Sequence, residues 1–195
     1  MIRLRRPSPF ALALTACGVA AFIALGIWQL RRADFKQALL ARFAQASHAP
    51  LQPFARVERG APDAVYPHVR VHGSFAAHRL YILDDQTHAD QVGVDVFAPF
   101  APDNRDRVLL VNLGFLPRQG VQQALPDLPP LPAGETGLTG IYAPPPRPGL
   151  KLGGNALPNQ KAWPKLTTYI DLPDIGADLR RGLYPRVLLL DADAA

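Results

Sequence analysis

The chain has 195 residues, 48% of them hydrophobic, and a formal net charge of +5. Residues 1–42 carry seven Arg and Lys against one Asp, so the remaining residues carry a net charge of −1. Because the net positive charge is confined to one end and the rest is nearly neutral, the composition argues against a nucleic-acid-binding protein.

The first element along the chain is an apolar run between two basic borders. Phe10 to Leu30 comprises 21 consecutive residues without a charge. As an α-helix this run is roughly 30 Å long, which matches the hydrocarbon thickness of a bilayer. Trp28 lies where an interfacial aromatic residue is expected, and Arg31 and Arg32 begin the polar flank. The run therefore predicts a membrane-spanning helix.

The helix is predicted to continue beyond the membrane border. Phe35, Leu39 and Phe43 recur every four residues, which is the spacing of one face of an amphipathic helix. We therefore predict a transmembrane anchor with an amphipathic extension over residues 1–46, and a separate extramembrane domain over residues 47–195.

Two alternatives for the apolar run stay open, a lipoprotein signal and an ordinary signal peptide. Leu14 to Cys17 resembles a lipoprotein cleavage box. A cleaved signal has an apolar core of about 7–15 residues, whereas this run is longer and stays apolar after Cys17. The uncleaved anchor is therefore preferred. Cys17 is the one cysteine of the chain, so no intramolecular disulfide is predicted.

After residue 50 the sequence changes to short apolar runs separated by Pro and Gly. The chain has 21 Pro and 15 Gly, and most of them lie in this part. This spacing predicts strands and turns that form an antiparallel sheet or a small barrel. A short helix is predicted over Asp171–Arg181, ended by Gly182. The predicted strands are Val65–Phe75, Arg79–Leu83, Val92–Phe100, Arg107–Phe115, Gly137–Tyr142, Lys165–Ile170 and Arg186–Leu190.

The sequence contains no recognisable catalytic pattern. Ser74 lacks the flanking glycines of a nucleophile elbow. His68 and His72 would lie about 13 Å apart on one strand, which is too far for both to bind one metal ion. We interpret them, with His78, as solvated histidines of a sheet face. The sequence therefore predicts neither an enzyme nor a metal site.

Polar residues at the end of the apolar run form the first candidate site. Gln29, Arg32 and Lys36 share one side of the predicted helix at three- and four-residue spacing. One interpretation is anchoring, in which Trp28 and the basic residues hold the helix at its depth. Gln29 is not needed for anchoring, and a second interpretation is that it hydrogen-bonds a partner helix.

The spacing Gly26-x-Trp28-Gln29-Leu30-x-Arg32-x-x-x-Lys36 resembles the motif at the first membrane helix of the Surf1/Shy1 family of cytochrome c oxidase assembly proteins. The segment from Tyr66 to Phe75 is similar to the family's Tyr…Val-x-Gly-x-Phe strand. Pro99-Phe100 and Val108 to Arg118 are similar to its Pro-Phe…Val-Leu-Val-Asn-Arg-Gly-Trp-Val-Pro block. The resemblance covers nearly the whole chain. Its block residues, expected to be structural, are Gly73, Phe75, Pro99, Phe100, Asn112, Gly114 and Pro117.

The resemblance implies a membrane-anchored assembly factor that acts like a chaperone in respiratory chain biogenesis. Its implied partners are the core subunit of cytochrome c oxidase or its assembly intermediates, and membrane lipid. It implies a single span in the bacterial cytoplasmic (inner) membrane, with the main domain in the periplasm. The candidate contacts for a partner or haem are Gly26, Trp28, Gln29, Arg32 and Lys36. The alternative is a membrane-tethered periplasmic binding or scaffold module unrelated to haem.

The chain departs from the family pattern in two places. Leu113 and Phe115 stand where the family usually has Arg and Trp. The family also has a second membrane helix, whose histidine is implicated as a ligand of haem a, and the sequence reaches Ala195 without it. Haem a is therefore a candidate cofactor and not a predicted bound one. We expect the 195-residue chain by itself to bind haem a weakly or not at all.

Overall fold

The computed structural model describes residues 8–59, 62, 65–118, 125–128, 130–146 and 156–191. The chain divides into two compact units between Ala44 and Gln45, and each unit is described by itself. The predicted fold class is confirmed: one long apolar helix at the amino terminus is followed by a mainly β domain with a short helix in its second half.

Helix α1 spans Pro9–Ser47, 39 residues, and is therefore about 58 Å long at 1.5 Å per residue. Its start is capped by Ser8, whose hydroxyl oxygen accepts a hydrogen bond from the backbone N–H of Ala11 at 3.2 Å. Its most apolar stretch has no residue buried within the structure. Among the described residues it is the one helix long and apolar enough to cross a membrane, which indicates membrane anchoring.

The β domain is built on one eight-stranded sheet with the order β1-β2-β6-β8-β5-β4-β3-β7. The sheet also closes on itself, because Gly73 to Phe75 of β2 pair with Phe100 to Pro102 of β4. The strands are β1 Gln52–Pro53, β2 His68–Phe75, β3 Tyr81–His88, β4 Gln91–Pro102, β5 Val108–Pro117, β6 Glu135–Ala143, β7 Lys165–Thr167 and β8 Leu183–Leu190. Strands β2, β6, β8, β5 and β4 therefore form a small closed barrel, from which β3 and β7 extend.

Alternating residues of β5 face two of the three hydrophobic clusters in the described part of the β domain. In β5, Leu109 and Val111 face one cluster, and Val108 and Leu110 face the other. The first cluster joins β2, β4, β5, β6 and β8, and includes Val69, Val71, Phe100, Leu138, Tyr142, Tyr184 and Leu188. The second lies beneath a short helix, α2 (Leu172–Leu179), and includes Tyr81, Phe97, Leu157, Ile170, Ile175, Leu179 and Val187.

Helix α2 is shorter than predicted, and its end uses a different residue. Asp171 is the N-cap, and its carboxylate accepts a hydrogen bond from the N–H of Asp174 at 3.3 Å. The helix ends at Arg180, which adopts the left-handed conformation with φ 54°. The prediction that Gly182 ends the helix was therefore wrong, since a non-glycine residue occupies the left-handed cap position.

Several predicted strand limits were also wrong. Strand β3 continues beyond Leu83 through a bulge to His88, and Asp85 in the bulge has φ 56°. Strand β7 ends at Thr167, and β8 begins earlier than predicted, at Leu183. Strand β1 is only two residues long and was not predicted. Each of these limits depends on pairing with a strand distant in sequence.

Candidate functional site

The residues predicted at the membrane border lie on the polar continuation of α1. At 100° per residue, Trp28, Gln29, Arg32 and Lys36 fall within about 100° of arc on one side of the helix. All four side chains are exposed. The guanidinium carbon of Arg32 lies 5.5 Å from the centre of the Trp28 ring, which is a cation–π contact between residues about one helical turn apart.

Gly26 lies about 60° around α1 from Gln29 and about 160° from Trp28, and it leaves a bare patch on the helix. A Cβ atom at Gly26 would meet nothing within 4 Å. The helix does not itself require glycine there, since glycine is disfavoured relative to alanine inside a helix by roughly 1 kcal/mol. The five candidate residues therefore form an exposed surface, called here the border surface: Gly26, Trp28, Gln29, Arg32 and Lys36.

Gly73 lies where the barrel closes. It pairs with Pro102 of β4, and a Cβ atom at Gly73 would collide with the backbone carbonyl of Ala101. Two residues on, the ring of Phe75 packs edge-on against Phe100 with centroids 5.0 Å apart. The barrel closure thus depends on the absence of a side chain at Gly73 and on the aromatic pair of Phe75 and Phe100.

Asn112 and Gly114 form a bulge in β5. Val96 pairs with Gly114 and Phe97 pairs with Asn112, so Leu113 is an extra residue without a partner in β4. The Asn112 side-chain oxygen accepts a hydrogen bond from the N–H of Gly114 at 2.8 Å, and Gly114 has φ +112°. That conformation is accessible chiefly to glycine, which explains both residue types.

The remaining block residues support the same pair of strands. Pro99 in β4 accepts a hydrogen bond from the N–H of Ala76 at 2.9 Å, which fixes the turn after β2. Pro117 ends β5 opposite Gly93, where a Cβ atom would collide with the backbone of Leu116 and the ring of Phe115. The block residues thus lie in and around β2, β4 and β5 and support the barrel.

A buried polar network that sequence reasoning missed joins β3, β7 and α2. Asp178 accepts hydrogen bonds from the Tyr81 hydroxyl at 2.8 Å and from Lys165 Nζ at 2.5 Å. The Lys165 ammonium also lies 4.9 Å from the centre of the Trp163 ring. Burial, together with the Asp178 carboxylate, raises the pKa of Tyr81 well above its ordinary value. The network therefore places the Asp178 carboxylate between the neutral Tyr81 hydroxyl and the Lys165 ammonium, and it fixes α2 on the sheet.

His68 connects the two ends of the β domain, contrary to its interpretation as a solvated histidine. Its Nδ1 lies 3.1 Å from the carbonyl oxygen of Ala49, and its Nε2 lies 2.8 Å from a carboxylate oxygen of Asp191. Both neighbours are acceptors, so the ring donates to both only as the imidazolium. Burial lowers the pKa of His68, but the contacts with Asp191 and Ala49 outweigh it, and the net pKa lies above the ordinary 6.5.

The His68 contacts predict a pH dependence of stability. Because the folded-state pKa is raised, the stabilisation is complete below about pH 6.5 and is lost as the pH rises through the higher folded-state pKa. Asp191→Asn should lower the pKa of His68, followed by NMR titration of its ring protons, and should flatten the fall in stability above pH 6.5. Asp90→Asn, in the exposed β3–β4 turn, is the control. An unchanged His68 titration in Asp191→Asn would contradict the assignment.

No group of three or more His, Cys, Asp or Glu in the described part of the chain is arranged to hold a metal ion. His72 is exposed on β2, and His78 lies in the turn before β3 with φ 57°. The prediction of a non-enzymatic protein without a metal site stays a prediction.

Comparison with known proteins gives one result on identity. The sequence model of the SURF1 family matches residues 16–195, which is nearly the whole chain. The chain belongs to the SURF1 family. No curated protein sequence matches it. The recognition made from the border motif and the Asn-x-Gly block is therefore confirmed, and the match includes both α1 and the barrel.

The SURF1 family is associated with the assembly of cytochrome c oxidase, and its members are assembly factors rather than catalysts. Two residues of this SURF1 chain depart from the block that we associate with the family. Leu113 is the extra residue of the bulge, and Phe115 stacks on His88 with ring centroids 4.8 Å apart. Phe115 thus keeps an aromatic ring at its position, whereas Leu113 provides no charge.

Proposed function

We propose that this chain is a membrane-anchored assembly factor that helps the core subunit of cytochrome c oxidase to mature. The SURF1 family match over residues 16–195 carries the proposal. In it, residues 1–46 anchor the protein in a bacterial inner membrane as a single span, and residues 47–195 act in the periplasm. The long apolar helix supports the membrane part of this proposal.

The border surface is the proposed contact with the oxidase subunit or its assembly intermediate. Its side chains are exposed on one side of α1, directly after the apolar run. A Gln side chain at a membrane border is stabilised most when a partner helix forms hydrogen bonds with its amide, because lipid chains cannot form them. Gly26 lets such a helix approach the backbone closely, since its own Cβ position is empty.

The finer part of the proposal concerns haem a. Arg32 and Lys36 follow the apolar run by two and six residues, so an amphiphile that entered from the membrane would present its carboxylates to them. Charge-assisted hydrogen bonds between such cations and carboxylates are about twice as strong as neutral ones. We therefore propose that the border surface assists haem a insertion by holding the haem propionates while the subunit closes.

Two substitutions test the border surface against simple anchoring. If the surface contacts a partner, Gln29→Leu and Arg32→Ala should each lower assembled oxidase several-fold, because an interhelical polar contact in a membrane is worth about 0.6–2 kcal/mol. If the residues only anchor α1, Gln29→Leu should be harmless, since it removes a polar group from the membrane border. Assembled oxidase is measured by its haem spectrum in membranes, and the protein's own level by immunoblot.

The matched control is Gln45→Leu, the same substitution at an exposed residue of α1 about 160° around the helix from Gln29. It should leave both oxidase and the protein's own level unchanged. If Gln29→Leu and Arg32→Ala give as much assembled oxidase as wild type at equal levels of the protein itself, these residues only anchor α1. A parallel loss in Gln45→Leu would point to helix damage instead of a lost contact.

A further inference from the structure

A cavity of about 610 Å³ lies in the β domain. It is formed by the end of β2 and the turn that follows, by β4 and β5, and by the end of α2. Apolar groups supply most of its wall: Phe75, Ala77, Pro99, Val108 and Leu179. Its size is within the range of sites that enclose small organic molecules, roughly 300–1,000 Å³.

Two arginines bring positive charge to this apolar cavity. Arg79 comes from the turn between β2 and β3, and Arg181 follows α2. The guanidinium carbon of Arg79 lies 6.0 Å from the centre of the Trp163 ring. Arg181 donates a hydrogen bond from Nη2 to the backbone carbonyl of Asp106 at 3.1 Å. Both guanidinium groups are thus positioned by neutral partners, an aromatic ring and a carbonyl.

The positive charge of this pair is not compensated within the described part of the chain. Neither Arg79 nor Arg181 forms an ion pair there with a carboxylate. The carboxylate at the end of α2, Asp178, is occupied by Tyr81 and Lys165. Two other arginines of the domain are paired with acids, Arg105 with Glu58 and Arg118 with Asp84. The two cavity arginines are therefore available to an external anion.

We propose that this cavity binds a small apolar molecule that carries a carboxylate. The apolar wall would contact the hydrocarbon part of the molecule. The guanidinium groups of Arg79 and Arg181 would bind its carboxylate, because the paired N–H donors of a guanidinium match the two oxygens of a carboxylate. A cationic molecule is repelled by the two arginines, and a neutral one gains no charge-assisted hydrogen bond. Because the site is in the barrel domain, its test is independent of the test of the border surface.

Octanoate is a suitable probe because it is soluble and combines one carboxylate with a short apolar chain. The chain has two tryptophans, so Trp28→Phe in the full-length protein leaves Trp163 as the one reporter. Arg79 lies over Trp163, so binding at Arg79 should change its fluorescence saturably. The titration is made in maltoside micelles, with octan-1-ol and octyltrimethylammonium as probes of equal chain length. We expect a saturable change with octanoate and none with the other two.

Calorimetric titration of the full chain then assigns the anion contact. Arg79→Gln and Arg181→Gln should each raise the Kd for octanoate about tenfold, as expected for the loss of one charge-assisted hydrogen-bond pair. Arg70→Gln, on the exposed face of β2, removes the same charge outside the cavity and should leave the Kd unchanged. Absence of saturable octanoate binding, equal binding of octan-1-ol, or an equal effect of Arg70→Gln would each overturn the proposal.

Discussion

Gly73→Ala is expected to destabilise the β domain by about 3 kcal/mol or more, at or above the usual range for an overpacked site. The added Cβ would collide with the carbonyl oxygen and carbon of Ala101 and with Cα of Pro102. These are backbone atoms and cannot rotate away. Strands β2 and β4 would therefore have to separate where three residue pairs close the barrel. Denaturant unfolding of the full chain carrying Trp28→Phe, in which Trp163 is the one tryptophan, measures the effect by fluorescence.

Gly137→Ala is the matched control for Gly73→Ala. Gly137 pairs with His72, next to the pair formed by Gly73 and Thr136. The three atoms nearest to a Cβ at Gly137 would all belong to the His72 ring, the first at 2.9 Å, and that ring is exposed and can turn aside. We expect a change within about 1 kcal/mol, because alanine also restricts the unfolded chain. Equal unfolding midpoints for the two variants would contradict the role of Gly73 in closure.

Arg186→Met is expected to cost about 2–4 kcal/mol of stability. Arg186 is only 3% exposed, and its guanidinium donates hydrogen bonds to the carbonyls of Pro62 at 2.8 Å, Val65 at 2.7 Å and Tyr142 at 3.2 Å. A hydrogen bond to a charged group is worth about 1.5–3 kcal/mol. In Arg186→Met, water can hydrogen-bond the carbonyls of the exposed residues Pro62 and Val65, which offsets part of the lost stability. Thermal unfolding of the full chain checks the prediction.

Two variants make the Arg186 result interpretable. Arg186→Lys keeps the charge but not the planar fork of donors, so it should fall between wild type and Arg186→Met. Arg70→Met removes an exposed arginine of β2 and should change stability by no more than about 0.5 kcal/mol. If Arg186→Lys is as stable as wild type, the charge alone suffices and the three-carbonyl geometry is unimportant.

Local sequence patterns predicted the elements whose limits are set locally. The uncharged run from Phe10 to Leu30 predicted a spanning helix because its length and apolarity need no tertiary contact to be recognised. The apolar runs of β4 and β5 predicted strands, since their residues are buried on both faces. Asp171, as an N-cap residue type, marked the start of α2.

The sequence could not predict features that arise from pairing between distant segments. Nothing around Asp84 and Asp85 shows that β3 resumes after a bulge, because β4 imposes that register. Lys165 and Asp178 are 13 residues apart, and Tyr81 is 97 residues from Asp178, so their network exists only in the folded domain. The cavity arginines were missed for the same reason. An exposed arginine in a turn has no local pattern that marks it as a ligand-binding residue.

The His68 contacts also indicate that the β domain is suited to circular permutation. A single imidazole ring separates the carbonyl of Ala49 from the carboxylate of Asp191, so a short peptide suffices to join residue 191 to residue 49. A circular permutant could then open in the exposed turn at Ala89 and Asp90, where both residues already have positive φ and neither is buried. Such a permutant consists of residues 49–191 without the membrane helix, and it keeps every described strand pairing while it loses only the hairpin connection between β3 and β4.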